Sequence, residues 1–97
     1  KISRNKWTND LKRMYSVVVN KKAKKELDKI PTLYARKIAE AIYSLANEPR
    51  PSGCKKLVGY NDIYRIRIAS YRIIYTIQDD VLIVQVIKIG SRQSVYE

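Results

Sequence analysis

Three alternating stretches separated by very short links constrain this chain more than any other feature. Residues 63–68 (IYRIRI), 71–78 (YRIIYTIQ) and 81–88 (VLIVQVIK) carry the two-residue period and the β-branched and aromatic content of strands. The links are Ala69-Ser70 and Asp79-Asp80, and two-residue links join antiparallel neighbours. A three-strand antiparallel meander is therefore expected. Neither turn is Asn-Gly, which leaves room for a bulge or a one-residue slip.

With two-residue turns, position 67 pairs with 72, 65 with 74, 78 with 81 and 74 with 85. Side chains alternate between the faces of a sheet. One face then carries Tyr64, Ile66, Ile68, Tyr71, Ile73, Tyr75, Ile77, Leu82, Val84 and Val86, and its apolar character marks it for cover by helices. The other carries Arg65, Arg67, Arg72, Ile74, Thr76, Gln78, Ile83, Gln85 and Ile87. Arg67 faces Arg72 directly, with Arg65 two residues away, and opposed like charges destabilise a sheet. An anion held between the guanidinium groups offsets that cost, and phosphate suits their fork geometry. Otherwise the arginines splay into solvent or pair with Asp62 or Glu97.

The first half supplies the helices. Residues 15–19 (YSVVV) read as a buried strand, and Asn20 as the N-cap of a helix. Ala23, Leu27 and Ile30 make one apolar stripe among Lys21, Lys22, Lys24, Lys25 and Lys29, the pattern of an amphipathic helix with a basic outer face. Pro31 interrupts it. Tyr34, Ile38, Ala41, Ile42 and Leu45 form the stripe of a second helix, stopped by Asn47, Pro49, Pro51 and Gly53. The expected architecture is α+β: an N-terminal strand, then an antiparallel helix hairpin packed on an antiparallel sheet that ends in the meander. Met14 opens this pattern, so residues 14–97 read as a single domain and residues 1–13 (KISRNKWTNDLKR) as a basic N-terminal extension.

Composition narrows the chemistry. The 97 residues include 20 Lys plus Arg, 9 Asp plus Glu and no His, for a formal net charge of +11. Such a charge points to a polyanionic partner, nucleic acid before an acidic protein or an anionic membrane. Without His there is no histidine base and no Ser-His dyad; with one cysteine, Cys54, there is no disulfide framework and no Cys-rich zinc site. Neither a metal nor a cofactor is expected. No apolar run approaches the roughly 18–20 residues of a membrane span, no secretory pattern opens the sequence, and Cys54 suits a reducing compartment. A cytoplasmic location without membrane contact is the expectation.

The tail, residues 88–97 (KIGSRQSVYE), adds Arg92 and Tyr96 beside the sheet edge that bears Arg72. A tyrosine among arginines can stack on a nucleobase, and nearby positive charge favours its phenolate.

The set Leu57-Val58-Gly59, Tyr64-Arg65-Ile66-Arg67, Ser70 to Tyr75 (SYRIIY), Ile87 to Arg92 (IKIGSR) and Val95-Tyr96 resembles the RelE/ParE toxin superfamily over residues 15–96. The resemblance implies a toxin of a toxin–antitoxin pair with a cognate RelB-like antitoxin. RelE-like members cut mRNA in the ribosomal A site, whereas ParE-like members on the same fold inhibit DNA gyrase. The RelE-like reading implies a metal-independent endoribonuclease that inhibits translation, with ribosome and mRNA as partners. Arg65 and Arg67 match the basic positions of the first meander strand, Arg72 that of the second, and Arg92 and Tyr96 those of the tail. The first-strand positions, often Lys in RelE-like enzymes, are both Arg here, and Val58 stands where a basic residue often precedes Gly59. Arg72 and Arg67 are then expected to clamp the scissile phosphate, with Arg65 and Arg92 adding charge. Tyr96 either stacks on the nucleotide or serves as the base. Lys21, Lys22, Lys24, Lys25, Lys55 and Lys56 are expected to dock on ribosomal RNA. A non-catalytic RNA-binding module with the same basic face is a further alternative.

Overall fold

The computed structural model describes residues 14–91, so the expected basic extension at 1–13 lies outside the described residues. Strand β1 (Ser16–Val19) turns Val17 and Val19 towards the core and Ser16 and Val18 outwards. Asn20 ends it. Its side chain accepts a hydrogen bond from the Ala23 N–H at 2.8 Å and caps helix α1 (Lys21–Asp28), which satisfies one of the four N–H groups a helix start leaves open. Ala23 is fully buried, and Leu27 and Ile30 pack beside it as the stripe requires.

Lys29 to Pro31 connect to helix α2 (Thr32–Ser44). Ile38 and Ile42, followed by Leu45, are buried beneath it. Tyr34, expected on the same stripe, sits at its exposed margin, where its ring meets that of Tyr71 at 5.9 Å. Helix α1 packs along the last strand and α2 over the first strand of the meander, both on the apolar face.

The sheet has five strands in the order β1-β5-β4-β3-β2. The meander is β3 (Ile63–Ile68), β4 (Tyr71–Gln78) and β5 (Ile83–Ser91), and a two-residue strand β2 (Lys55–Lys56) adds to the β3 edge. Strand β1 pairs with β5 in parallel, so the sheet is mixed, which corrects the expectation of a wholly antiparallel one. The helices between β1 and the meander provide the long connection that parallel pairing needs.

The β3–β4 register is the expected one: Arg67 opposes Arg72 and Arg65 opposes Ile74 across the tight Ala69-Ser70 turn. Ala69 takes the left-handed conformation there, with φ +56°. The β4–β5 register is not. Gln78 pairs with Ile83 rather than with position 81, because residues 79–82 form a longer turn in which Leu82 has φ +56°. The slip is two residues, so Val84 and Val86 stay on the core face, opposite Ile77 and Tyr75. Then Ile87 bulges. Tyr75 pairs with Val86 but Ile74 pairs with Lys88, and Ile73 with Ile89. Strict alternation would have driven Lys88 into the core; the extra residue buries Ile89 in its place.

Glu26 secures this irregularity. Strand β1 stops pairing at Val86, which leaves the following β5 backbone open on that side. The Glu26 side chain reaches from α1 and its Oε1 accepts the Ile89 N–H at 2.8 Å. At the other end of the sheet, Asp79 of the longer turn accepts from the Tyr15 hydroxyl at 2.6 Å and pairs with Arg50 at 2.9 Å. Arg50 also lies over the Tyr64 ring, 5.1 Å from its centroid.

Two measurements check this packing. Replacing Glu26 with Ala leaves the Ile89 N–H without its acceptor and should cost about 1–3 kcal/mol, a fall in Tm of several degrees in thermal denaturation, whereas Glu26→Gln should retain much of the stability. Tyr75 is fully buried and donates to the Pro49 carbonyl at 2.8 Å. Burial, with the Cys54 thiol beside it, pushes the Tyr75 phenol far above its ordinary value. The folded state therefore holds this proton when the unfolded chain releases it. The contribution is complete below about pH 10 and declines as pH rises further. Denaturation of Tyr75→Phe above pH 10 should show a shallower loss of stability, by up to about 1.4 kcal/mol per pH unit.

Candidate nucleic-acid interface

The sheet face turned away from the helices carries the basic side chains in two cross-strand rows. In the first, Arg67 on β3, Arg72 on β4 and Gly90 on β5 lie opposite one another. In the second, two residues along, Lys55 on β2, Arg65 on β3, Ile74 on β4 and Lys88 on β5 are aligned. Neighbouring strands stand about 4.8 Å apart and rows on one face about 7 Å apart. Five cationic side chains thus share a small area.

Their burial differs from expectation. Arg65 and Arg72 are each only 6 % exposed and Ile74 is equally covered, whereas Arg67 is exposed. The face expected to be open is in part a covered, positively charged layer. Neither Arg65 nor Arg67 is in an ion pair among the described residues, and the buried Arg65 Nε has no hydrogen-bond partner there. Asp62, one of the expected partners, makes no such pair, and Glu97 lies outside the described residues. Beside Arg67 and Arg72, the β3–β4 turn borders a cavity of about 260 Å³ that Ala69, Ser70 and Tyr71 also line. Arg67 and Arg72 on its wall bring it charged, fork-shaped donors of the kind that suits an oxyanion.

The structure brings Arg65, Arg67 and Arg72 together as the register required. Arg92 and Tyr96 lie outside the described residues. The expected docking lysines separate. Lys21, Lys22, Lys24 and Lys25 are exposed on α1, in the layer behind the sheet. Lys55 instead joins the arginine face beside Arg65, and exposed Lys56 pairs with Tyr64 on the opposite side of the strand. Sequence reasoning missed Lys88, which reads as the last residue of a regular strand. The signal was present in Val84 to Ile89 (VQVIKI), where unbroken alternation places Lys88 among core residues and only an extra residue removes it.

The chain is similar in sequence and in fold to proteins of toxin–antitoxin systems. Residues 17–96 match the family model described as the ParE toxin of the type II toxin–antitoxin system parDE. The toxin-family protein RelE1 of Methanocaldococcus jannaschii is 30% identical over 86 residues, which cover 86% of this chain and 96% of that protein. Among solved structures, the archaeal RelE–RelB complex from Pyrococcus horikoshii contains a chain that superposes with a TM-score of 0.75 at 29% identity, covering 84% of this chain and 99% of that one. The intact E. coli RelBE toxin–antitoxin complex contains another, with a TM-score of 0.71 at 27% identity, covering 81% of this chain and 98% of that one.

If the opposed arginines await an anion, sulfate should raise the Tm more than chloride at equal ionic strength. Arg67→Gln should be more stable than the wild type in low salt, by about 0.2–1 kcal/mol, and should lose most of the sulfate response. Thermal denaturation in matched sulfate and chloride buffers measures both effects.

Proposed function

The chain belongs to the RelE/ParE toxin superfamily of type II toxin–antitoxin systems, and from that premise we propose that it is a ribosome-dependent endoribonuclease that cuts mRNA in the A site and so inhibits translation. The observation that carries this reading is the directly opposed Arg67–Arg72 pair beside a cavity of about 260 Å³. A protein that only binds another protein has no need to hold like charges in register.

The proposed chemistry needs no metal. The 2′-OH of the RNA gives its proton to a base, its oxygen bonds to the adjacent phosphorus, and the bond from phosphorus to the 5′-oxygen breaks as that oxygen takes a proton. The products are a 2′,3′-cyclic phosphate and a 5′-hydroxyl. Arg67 and Arg72 clamp the scissile phosphate and stabilise the extra charge of the phosphorane, where fixed donors contribute most. Arg65 supplies further positive potential. Arg92 is assigned to charge stabilisation at the leaving oxygen, and Tyr96 to stacking on the nucleotide or to the role of base. With arginine at both first-strand positions the chain's own base is weak, so the ribosome supplies the alignment of the 2′-OH. The exposed lysines of α1, together with Lys56, contact ribosomal RNA, and that contact weakens steeply with salt.

The cognate partner is a RelB-like antitoxin. The RelE–RelB complexes of Pyrococcus horikoshii and E. coli support that partner by their similarity to this chain. No described helix is long and apolar enough to cross a membrane, and the proposed site of action is the cytoplasm.

One observation favours a second reading: the matching family model is named for ParE. A ParE-like protein would inhibit DNA gyrase and leave mRNA intact. Primer extension on mRNA undergoing translation separates the two. We expect cuts within codons at stalled ribosomes, reduced about a hundredfold or more by Arg72→Ala and strongly by Tyr96→Phe, and little cleavage of free RNA. Intact mRNA together with blocked supercoiling would establish the gyrase reading, and wild-type cleavage by both variants would refute the site assignment.

A further inference from the structure

The bulge at Ile87 does more than preserve the core. It turns Lys88 onto the arginine face, where it is half-buried and lies across Ile74 from Arg65. Lys55, on the far side of Arg65, completes one row. We propose that Lys55, Arg65 and Lys88 form a second phosphate subsite, which holds the phosphate adjacent to the one clamped by Arg67 and Arg72 on the same RNA strand. This inference rests on the RNA-cutting reading above and reassigns Arg65 from the scissile phosphate to its neighbour.

Four observations carry it. The first is the spacing: the rows stand about 7 Å apart along the strands, the order of separation of consecutive phosphates in an extended nucleic-acid strand. The second is the absence of internal neutralisation, since among the described residues none of Lys55, Arg65 and Lys88 is in an ion pair. Arg65 is 6 % exposed and its Nε has no hydrogen-bond partner among the described residues. A buried donor left in that state is costly unless a ligand meets it. The third is the limit of the charge. The next row, Ile63, Thr76, Gln85 and Val18, is neutral, so the basic track is two rows long and suits two phosphates. The fourth is Gly90, which ends the first row opposite Arg72 and adds no side chain to it on β5. Each row then holds one phosphate, the exposed Arg67 and the lysines at the ends of the second row giving the points of approach.

Lysine suits the outer positions. Its flexible stem can lie along Ile74 while the ammonium reaches the phosphate, and a point charge needs no fixed approach angle. Such a subsite grips the strand on one side of the cut, so that the scissile phosphate is placed by its neighbour as well as by its own clamp.

The test is a binding measurement that does not depend on cleavage. The probe is a 2′-O-methyl RNA trinucleotide, which has two phosphodiesters and no free nucleophile, followed by fluorescence anisotropy over a range of salt. Two further trinucleotides each carry an uncharged methylphosphonate at one of the two positions. Lys88→Gln should weaken binding of the fully charged probe about tenfold and lower the salt slope by about 0.7. It should have almost no effect on one methylphosphonate probe, while Arg67→Gln should show the same indifference to the other. Lys88→Arg should bind like the wild type, and thermal melts of each variant show that it is folded. Equal binding by Lys88→Gln and wild type, or an equal loss against all three probes, overturns the second subsite. If the wild type binds none of the probes, the subsite is overturned, while primer extension on translated mRNA decides the RNA-cutting reading separately. If Arg67→Gln loses affinity and Lys88→Gln does not, the RNA reading stands and the subsite alone is wrong.

Discussion

The pleat of β4 governs the arrangement of this molecule. Its residues alternate between a face that must be dry and a face that carries charge. Ile73, Tyr75 and Ile77 are almost fully buried against α1 and α2. Arg72 has no place there and must lie on the other side. Once the Ala69-Ser70 turn sets the register, Arg67 stands opposite Arg72 and the charges are opposed by geometry. The apolar core and the basic site are two faces of one hydrogen-bonded ladder, so neither can shift by a residue without destroying the other.

Strand β5 meets the same constraint with a sequence that does not alternate cleanly. Val84, Val86 and Ile89 are all in the core, which is one residue out of step between Val86 and Ile89. The bulge at Ile87 absorbs the extra residue, and Glu26 from α1 accepts the backbone N–H that β1 is too short to reach. A helix on the dry face thereby supports the position of a lysine on the charged face. At the far end of β4, roughly 23 Å along the strand from Arg72, the Asp79 carboxylate ties together Tyr15, Arg50 and the turn before β5. That tie belongs to the frame of the sheet, at the end opposite the arginine site.

The net charge of +11 has two structural meanings. Lysines on α1 are dispersed and exposed, the form suited to salt-sensitive contact with a large polyanion. The sheet cluster is concentrated and partly covered, the form suited to particular phosphates. The loop-like sequence around Lys55 groups it with the dispersed charges, yet the short β2 pairing places it beside Arg65. Nothing local distinguishes Lys55 from Lys56; their alternation on a strand two residues long separates them, and that strand exists only because β3 offers an edge.

Much of the fold was legible in the order of residues because the signals were local. Asn20 before a lysine-rich stripe, Pro31 between two helical periods, and a two-residue link between alternating runs each act over a few positions, and each appears where expected. The Arg67–Arg72 opposition followed from turn length and pleat alone. The sequence by itself therefore determined both helices, four of the five strands, the dry face and the opposed arginines. Only the tertiary structure decided that β1 runs parallel beside β5, that the turn at 79–82 is two residues longer than the Asp79-Asp80 link implies, that Arg65 and Arg72 are covered, and that Lys88 faces the arginines. Those features depend on which strand edges are vacant and which backbone groups still need partners, and distant segments settle both when they pack.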